Sequence, residues 1–467
     1  MLGVLSVAFT AFAADGLAEL DAKGLAGVEP EVVVAAAPVV LYGATVLTAA
    51  GQRYEPGFVV VEGGKVTAVG QGPAPSVAGA TAIDLAGRFV TPGLIDTHSH
   101  LGVYPYPGAA AHGDGNEATA PTTAGVWAEH SVWPQDPGFE LAIAGGVTTL
   151  QILPGSANLI GGRGVVVRSV PARGGRAMRL DGAPETVKMA CGENPKRVYG
   201  ADKGAAPSTR MGNLRGQRDA FAKAVAYQRQ WAEYEQKAEA AASGKKGKKG
   251  AEPPPRPPDR DLDKETLVGV LEGRFLPEVH CYRADDMLAM LQVADEFGFR
   301  VRSFHHATEA YKVRDILASR EVAASVWADW WGFKLEAYDA VPEGAAMLAS
   351  AGGRAVIHSD SGVGIQRLNQ EAAKAWSAGN HAGFEVSEDQ ALRWITANPA
   401  WVLGIEGQTG TIEPGKRADL VVWDRHPFSV YARAELVFVD GALRFDRARP
   451  VVWSDFSLGQ TPVEGGN

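Results

Sequence analysis

Between residues 39 and 85 the chain alternates short β-branched runs with Gly-centred turns (VVLYGATVLTA, GFVVVEGGKVTAVG, TAIDLAG), a texture that predicts several short antiparallel strands. The texture returns near the other end, where 410–424 (GTIEPGKRADLVVWD) and 434–445 (AELVFVDGALRF) read as strands parted by Pro-Gly and Asp-Gly turns. The two ends, 38–91 and 408–450, are expected to pair into one small β-sandwich domain. Between them the period changes. Apolar runs at 146–153, 186–190, 278–282, 301–305, 321–326 and 354–359 are each followed by a helix-compatible stretch such as 285–297, the rhythm of βα units around a parallel sheet. The block 92–407 has the length of a (β/α)8 TIM barrel, typically about 250 residues, plus an insertion, so the predicted fold class is α/β.

The insertion is visible as a charged, Ala-rich helical stretch at 215–243, followed by GKKGKKG and then AEPPPRPPDR up to residue 260. A lysine-glycine run beside a polyproline run cannot build a core, so about 242–259 is expected to be a flexible surface loop. It has no interleaved aromatics, which argues against a nucleic-acid patch.

At the start, residues 1–14 (MLGVLSVAFTAFAA) form a short apolar run ending in the small-x-small triplet Ala11-Phe12-Ala13, the pattern of a signal peptide that lacks its positive n-region. Residues 15–37 then read as a spacer, and the expected location is periplasmic or secreted, with the cytoplasm as the alternative. No apolar run reaches the roughly 18–20 residues of a membrane span.

Composition narrows the chemistry. The chain is 46% hydrophobic with 45 Lys plus Arg against 54 Asp plus Glu, a net charge of -9, which does not support a generally basic nucleic-acid surface. Only two cysteines occur, so any metal site must rest on histidines and carboxylates. Cys191 and Cys281 read as small buried hydrophobes.

The sharpest motif is TPGLIDTHSH, residues 91–100. Alternate strand residues share a face, so His98 and His100 point the same way at the end of an apolar run, where two imidazoles can hold one cation. Lys188 in TVKMA, His280 in EVHCY, His306 in SFHHATE and Asp360 in VIHSDSG also end apolar runs. Counted in βα units from a first strand carrying His98 and His100, they fall on strands 4, 5, 6 and 8. All converge on the C-terminal face, where barrel enzymes place their chemistry. His305 is the rival of His306, since neighbouring strand residues face opposite sides. Asp360 reads either as a helix N-cap or as a carboxylate able to move a proton.

These motifs, with KMACGENPKRVYG, HCYRADDM, ADWWGFKLEAYDA, HSDSG and the closing GTIEPGKRADLVVWD, resemble the metal-dependent amidohydrolase superfamily, in its imidazolonepropionase-like and prolidase-like branch. The resemblance runs from about residue 39 to 445. It implies a binuclear centre bound by His98, His100, a carboxylated Lys188, His280, His306 and Asp360, and it favours His306 over His305. Two divalent metal ions are implied, with zinc expected although the ligand types suit iron, manganese or nickel too. Carbon dioxide is needed to carboxylate the lysine. An ammonium cannot ligate a cation, whereas its carbamate offers two oxygens to a pair of them. One departure is Ala307, where relatives usually have Gly after the strand-6 histidine.

The activity implied is hydrolysis of a C–N bond in a small amide, cyclic amide or dipeptide, by water activated between two cations with Asp360 as proton shuttle. The rivals are a mononuclear aminohydrolase and a non-catalytic barrel that only binds. Loops after the strands supply the substrate-binding candidates: His112, Asn116 and Glu117, then Tyr199, Arg210, Tyr282, Arg283, Trp330, Trp331, Lys334 and Arg367. The expected partner is a small-molecule amide or peptide substrate, with no nucleic acid and no integral membrane span, and a homo-oligomer stays open.

Overall fold

The computed structural model describes residues 37–108, 110–170, 172–243 and 255–449. The signal peptide and nearly all of the spacer expected from the sequence lie outside the described residues, as do 244–254 of the lysine-proline loop. Among the described residues no helix is long and apolar enough to cross a membrane.

The N-terminal strands are β1 (Val39–Leu47), β2 (Arg53–Glu62), β3 (Lys65–Gln71), β4 (Thr81–Asp84) and β5 (Phe89–Pro92). The barrel strands follow as β6 (Leu94–Ser99), β7 (Val147–Ile152), β8 (Ile160–Arg168), β9 (Glu185–Ala190), β10 (Phe275–His280), β11 (Ser303–His305), β12 (Ala323–Val326) and β13 (Ala355–Ile357). The chain closes with β14 (Leu420–Trp423), β15 (Ala434–Val439) and β16 (Ala442–Asp446).

Both chain ends meet in one sheet of order β16-β15-β14-β5-β1-β2-β3, with β4 alongside β1. Alternate residues such as Leu41, Val59, Val61, Val66, Val90, Leu420, Val422 and Phe438 turn inward to make its own apolar core. β5 is the junction: it pairs with β1 and with β14, and the Trp423 indole N–H reaches Thr91 Oγ1 at 2.9 Å. A single residue, Gly93, then connects β5 to β6. A Cβ there would stand 2.0 Å from Thr148 Oγ1, so only glycine lets the Thr148 side chain pack this close to the β5–β6 connection.

The second sheet has the order β13-β12-β11-β10-β9-β8-β7-β6. Its strands are the apolar runs of the sequence, plus β8, which none of those runs marks. β8 lies antiparallel between β7 and β9, so the barrel departs from an all-parallel one at its third strand. The interval from His100 to Lys188 therefore reaches the fourth strand through an antiparallel insertion. The barrel closes from β13 to β6 through the loop after β13, where Asp360 N–H donates to His98 O at 2.9 Å.

Around the sheet the helices dock through one apolar face. Ala284–Phe297 buries Met287, Met290, Leu291 and Ala294 at helical spacing, carries Asp285 and Asp286 in its first turn, and stops at Gly298 in the left-handed region. The charged insertion forms one helix, Arg210–Ser243, that buries Phe221, Ala224, Tyr227 and Trp231. Phe221 stacks on Phe299 with ring centres 4.5 Å apart, so this helix belongs to the folded body.

Candidate metal centre

Five strand ends bring the six residues selected from the sequence to one place. β6 carries His98 and leads to His100, β9 carries Lys188, β10 ends in His280, His306 directly follows β11, and Asp360 follows β13. One nitrogen each of His98 and His100 and one oxygen of Asp360 lie within 4.8 Å of one another. His98 Nε2 and His100 Nε2 stand 3.6 and 3.1 Å from Asp360 Oδ1, and His306 Nδ1 stands 3.9 Å from Oδ2. The His306 ring lies 4.5 Å from the rings of both His98 and His280, centre to centre.

Two of these positions have backbones that L-residues rarely adopt: His306 has φ 66° and Asp360 φ 51°. Such strain is held only where the surroundings over-determine it, and it gathers at functional sites. It also breaks strand alternation at β11. His305 and His306 both reach the cluster, so they are not rivals for one inward place. His305 bonds His98 Nδ1 at 2.8 Å and Glu278 Oε2 at 2.7 Å, while His306 faces Asp360.

Lys188 Nζ donates to Pro154 O at 3.0 Å and lies 3.4 Å from His98 Nε2, with the side chain fully buried between strands. Burial pulls its pKa down to about 8, against the opposing charges of Asp360 and Glu278. The same burial, with the Lys188 or Lys334 charge and neighbouring rings behind it, holds His98, His280 and His306 well below the usual imidazole range. They are therefore neutral, with a lone pair to offer. Burial works to raise Asp360, but the His100 hydrogen bond and charge outweigh it and leave the carboxyl below its ordinary value.

Among the described residues, the buried nitrogens His280 Nδ1 and His306 Nδ1 have no hydrogen-bond partner. A buried polar atom left unsatisfied is unfavourable, and neutral imidazoles grouped with a carboxylate and a lysine suit a divalent transition ion as the partner. The residues present thus fit the metal group the sequence implied.

Around these residues sit further polar groups that no motif of the sequence singled out. Asp96, two residues before His98, accepts from His98 N and Ser359 N at 3.1 Å each and from the Ser359 hydroxyl, and burial pushes its pKa up to about 7. His358 Nε2 accepts from His306 N at 3.3 Å, and Trp327 donates to Ser359 O at 3.0 Å. The i, i+2 spacing of Asp96 with His98 and of Glu278 with His280 was the available signal, since it puts each pair on one strand face.

The substrate-binding candidates divide. Tyr282 lies in the site, its ring stacked on His306 at 5.3 Å. Lys334 comes close beside it, with Nζ 4.0 Å from the Tyr282 ring centre, 3.1 Å from Asn194 Oδ1 and 3.4 Å from Glu193. Trp330 stacks on Trp327 at 5.3 Å, and Trp331 extends outward against Tyr338. The others are engaged elsewhere. Tyr199 is buried and donates to Ala120 O at 2.6 Å. Arg210 pairs with Asp285 and Asp286, and Arg283 with Asp285. His112 packs on Trp133, the Asn116 carbonyl accepts from Ala157 N at 3.1 Å, and Glu117 is exposed, its backbone carbonyl bonded to Asn158. Arg367 lines a separate cleft with Leu141, Gly145, Asp424 and Arg433. The two cysteines are also corrected: backbone bonds from Cys191 N to His280 O and from Cys281 N to His305 O extend the ladder and set the pair side by side, 5.3 Å apart at Cα, joined as a disulfide.

The description of the amidohydrolase family fits residues 347–445. The crystal structure of an amidohydrolase from Thermotoga maritima MSB8 is similar at 36% identity and TM-score 0.76, covering 88% of this chain and 100% of that one. Amidohydrolase tasK of Hapsidospora irregularis is 36% identical over 423 residues, 85% of this chain, and the chain spans 40% of that relative's length. A crystal structure of a prolidase complexed with N-methylphosphonate-L-proline shares the fold at TM-score 0.51 and 18% identity, covering 87% of this chain and 99% of that one.

Proposed function

The chain belongs to the amidohydrolase family, and from that premise we propose that it is a metal-dependent hydrolase of a C–N bond in a small amide, cyclic amide or dipeptide. The observation that carries this reading is the convergence of His98, His100, Lys188, His280, His306 and Asp360 at one end of the barrel, with His280 Nδ1 and His306 Nδ1 lacking a hydrogen-bond partner among the described residues. Two divalent cations held by these residues, Lys188 contributing as its carbamate, would supply Lewis-acid polarisation of the scissile carbonyl and a water acidic enough to ionise near neutral pH.

The chain's own groups do the rest. Asp360 is ionised at neutral pH and partly exposed, so its carboxylate can accept a proton and return it to the departing nitrogen. His100 keeps that carboxylate in place at 3.1 Å, and its Nδ1 is fixed by Leu153 O at 2.8 Å. Tyr282 and Trp327, both buried, line the His306 side and exclude water there. Trp330 and Trp331 stand at the mouth for an apolar part of the substrate. Lys188 speaks against the mononuclear deaminase, since a site for one cation has no use for a lysine buried among the histidines.

The test is to turn over a library of dipeptides, N-acyl amino acids and cyclic amides with metal-loaded protein. Release of amine from at least one class, abolished by a chelator and restored by a divalent ion, is expected. Ammonia release from aminopurines alone would replace this reading with the deaminase.

A further inference from the structure

Behind the metal centre, three side chains form a continuous line through the barrel interior. Glu278 Oε2 meets His305 Nε2 at 2.7 Å, and His305 Nδ1 meets His98 Nδ1 at 2.8 Å. All three side chains are essentially inaccessible to solvent. The proposed ligand role of His98, the reading on which this inference rests, leaves Glu278 and His305 with no task of their own.

With both imidazoles neutral, hydrogen-bond chemistry allows only two proton arrangements along the line. Each contact between ring nitrogens has one donor and one acceptor, because a neutral imidazole carries a single N–H. If Glu278 accepts, His305 carries its proton on Nε2, its Nδ1 must accept, and His98 donates from Nδ1. His98 Nε2 is then a bare lone pair, and it is the nitrogen that faces Asp360 and Lys188. If the line runs the other way, His98 carries its proton on Nε2 and cannot ligate a cation there.

We propose that Glu278 and His305 are positioning residues: a carboxylate and an imidazole that fix the tautomer and ring orientation of His98, so that its Nε2 is presented to the metal. The register supports this. Glu278 pairs with Lys188 across β9 and β10 and with Ser303 across β10 and β11, so the line is anchored in the central ladder of the barrel. Partners of this kind behind a ligating histidine raise its basicity, and their loss typically costs about 10–100-fold in metal affinity.

The test has two arms. In the wild-type zinc-loaded protein with 15N-labelled histidine, long-range 1H–15N correlation should show His98 protonated on Nδ1 and His305 protonated on Nε2. A His98 proton on Nε2 would overturn the proposal outright. In the second arm, metal affinity is measured by chelator competition, with the visible spectrum of the Co(II) form as a report on ligand geometry. His305→Leu should weaken the first-bound ion by about 10–100-fold and alter the Co(II) bands. His305→Asn, whose amide oxygen can take the place of Nδ1 as acceptor, should recover most of that loss. Equal affinity in His305→Leu and wild type, or equal damage by Leu and Asn in folded protein, would reject the line. If wild-type protein binds no metal, it is the hydrolase reading that fails.

Discussion

The Asp360 backbone N–H donates to the carbonyl of His98 at 2.9 Å, while the carboxylate of the same residue comes within 3.6 Å of the His98 ring. One residue therefore closes the barrel and faces the histidine it would share a cation with. Strand closure and site geometry are the same structural fact, and the left-handed backbone at Asp360 is what allows both.

Replacing Asp360 by Asn keeps the backbone bond and tolerates the left-handed conformation, but it removes the proton acceptor. Turnover should fall by about 10²–10⁴-fold with little change in melting temperature. Activity within tenfold of wild type would remove the proton-shuttle role.

Elemental analysis of protein prepared without chelators should give close to two divalent ions per chain, and the double variant His98→Ala, His100→Ala should lose both metal and turnover. One ion with full activity would point to the mononuclear site instead.

Lys188 carries a pH prediction. Carboxylation requires the neutral amine, and burial brings this lysine to about 8 from the ordinary 10.5. At fixed dissolved carbon dioxide, reactivation of metal-stripped protein by added metal should therefore speed up about tenfold per pH unit below 8 and level off above it. A rate still climbing steadily through pH 9.5 would mean an ordinary lysine. Lys188→Ala should be nearly inactive and partly rescued by formate or acetate, whose oxygens can enter the gap.

The long insertion helix is load-carrying where it touches Phe299. Phe221→Ala removes a fully buried ring and should cost about 3–5 kcal/mol, read from the urea midpoint. A loss below about 1 kcal/mol would show that the helix is only loosely docked.

At the junction of the two sheets, Gly93→Ala places a Cβ against Thr148 and should destabilise the protein by roughly 1–3 kcal/mol. Adding Thr148→Ala should recover part of the loss, because it removes the hydroxyl and methyl that clash. An unchanged midpoint in Gly93→Ala would mean that β6 and β7 are further apart at this level.

The sequence by itself determined the local order. Alternating and apolar runs placed seven of the eight barrel strands, the two-residue spacing put His98 and His100 on one face, and the intervals put Lys188 and His280 on the fourth and fifth strands and His306 and Asp360 just beyond the sixth and eighth. These are properties of short range, since strand period and unit length are set by a few consecutive residues. Tertiary structure decided what depends on contacts between distant segments or on a single backbone angle. The antiparallel direction of β8 follows from its pairing with β7 and β9. Cys191 met Cys281 because β9 and β10 run side by side, and Arg367 went to another cleft because the segment after β13 turns against the Gly145 backbone. His305 and His306 both joined the site because φ at His306 is positive, which strand alternation cannot express. The line from Glu278 to His98 joins residues 180 positions apart in the chain, and only the closed barrel brings them to hydrogen-bond distance.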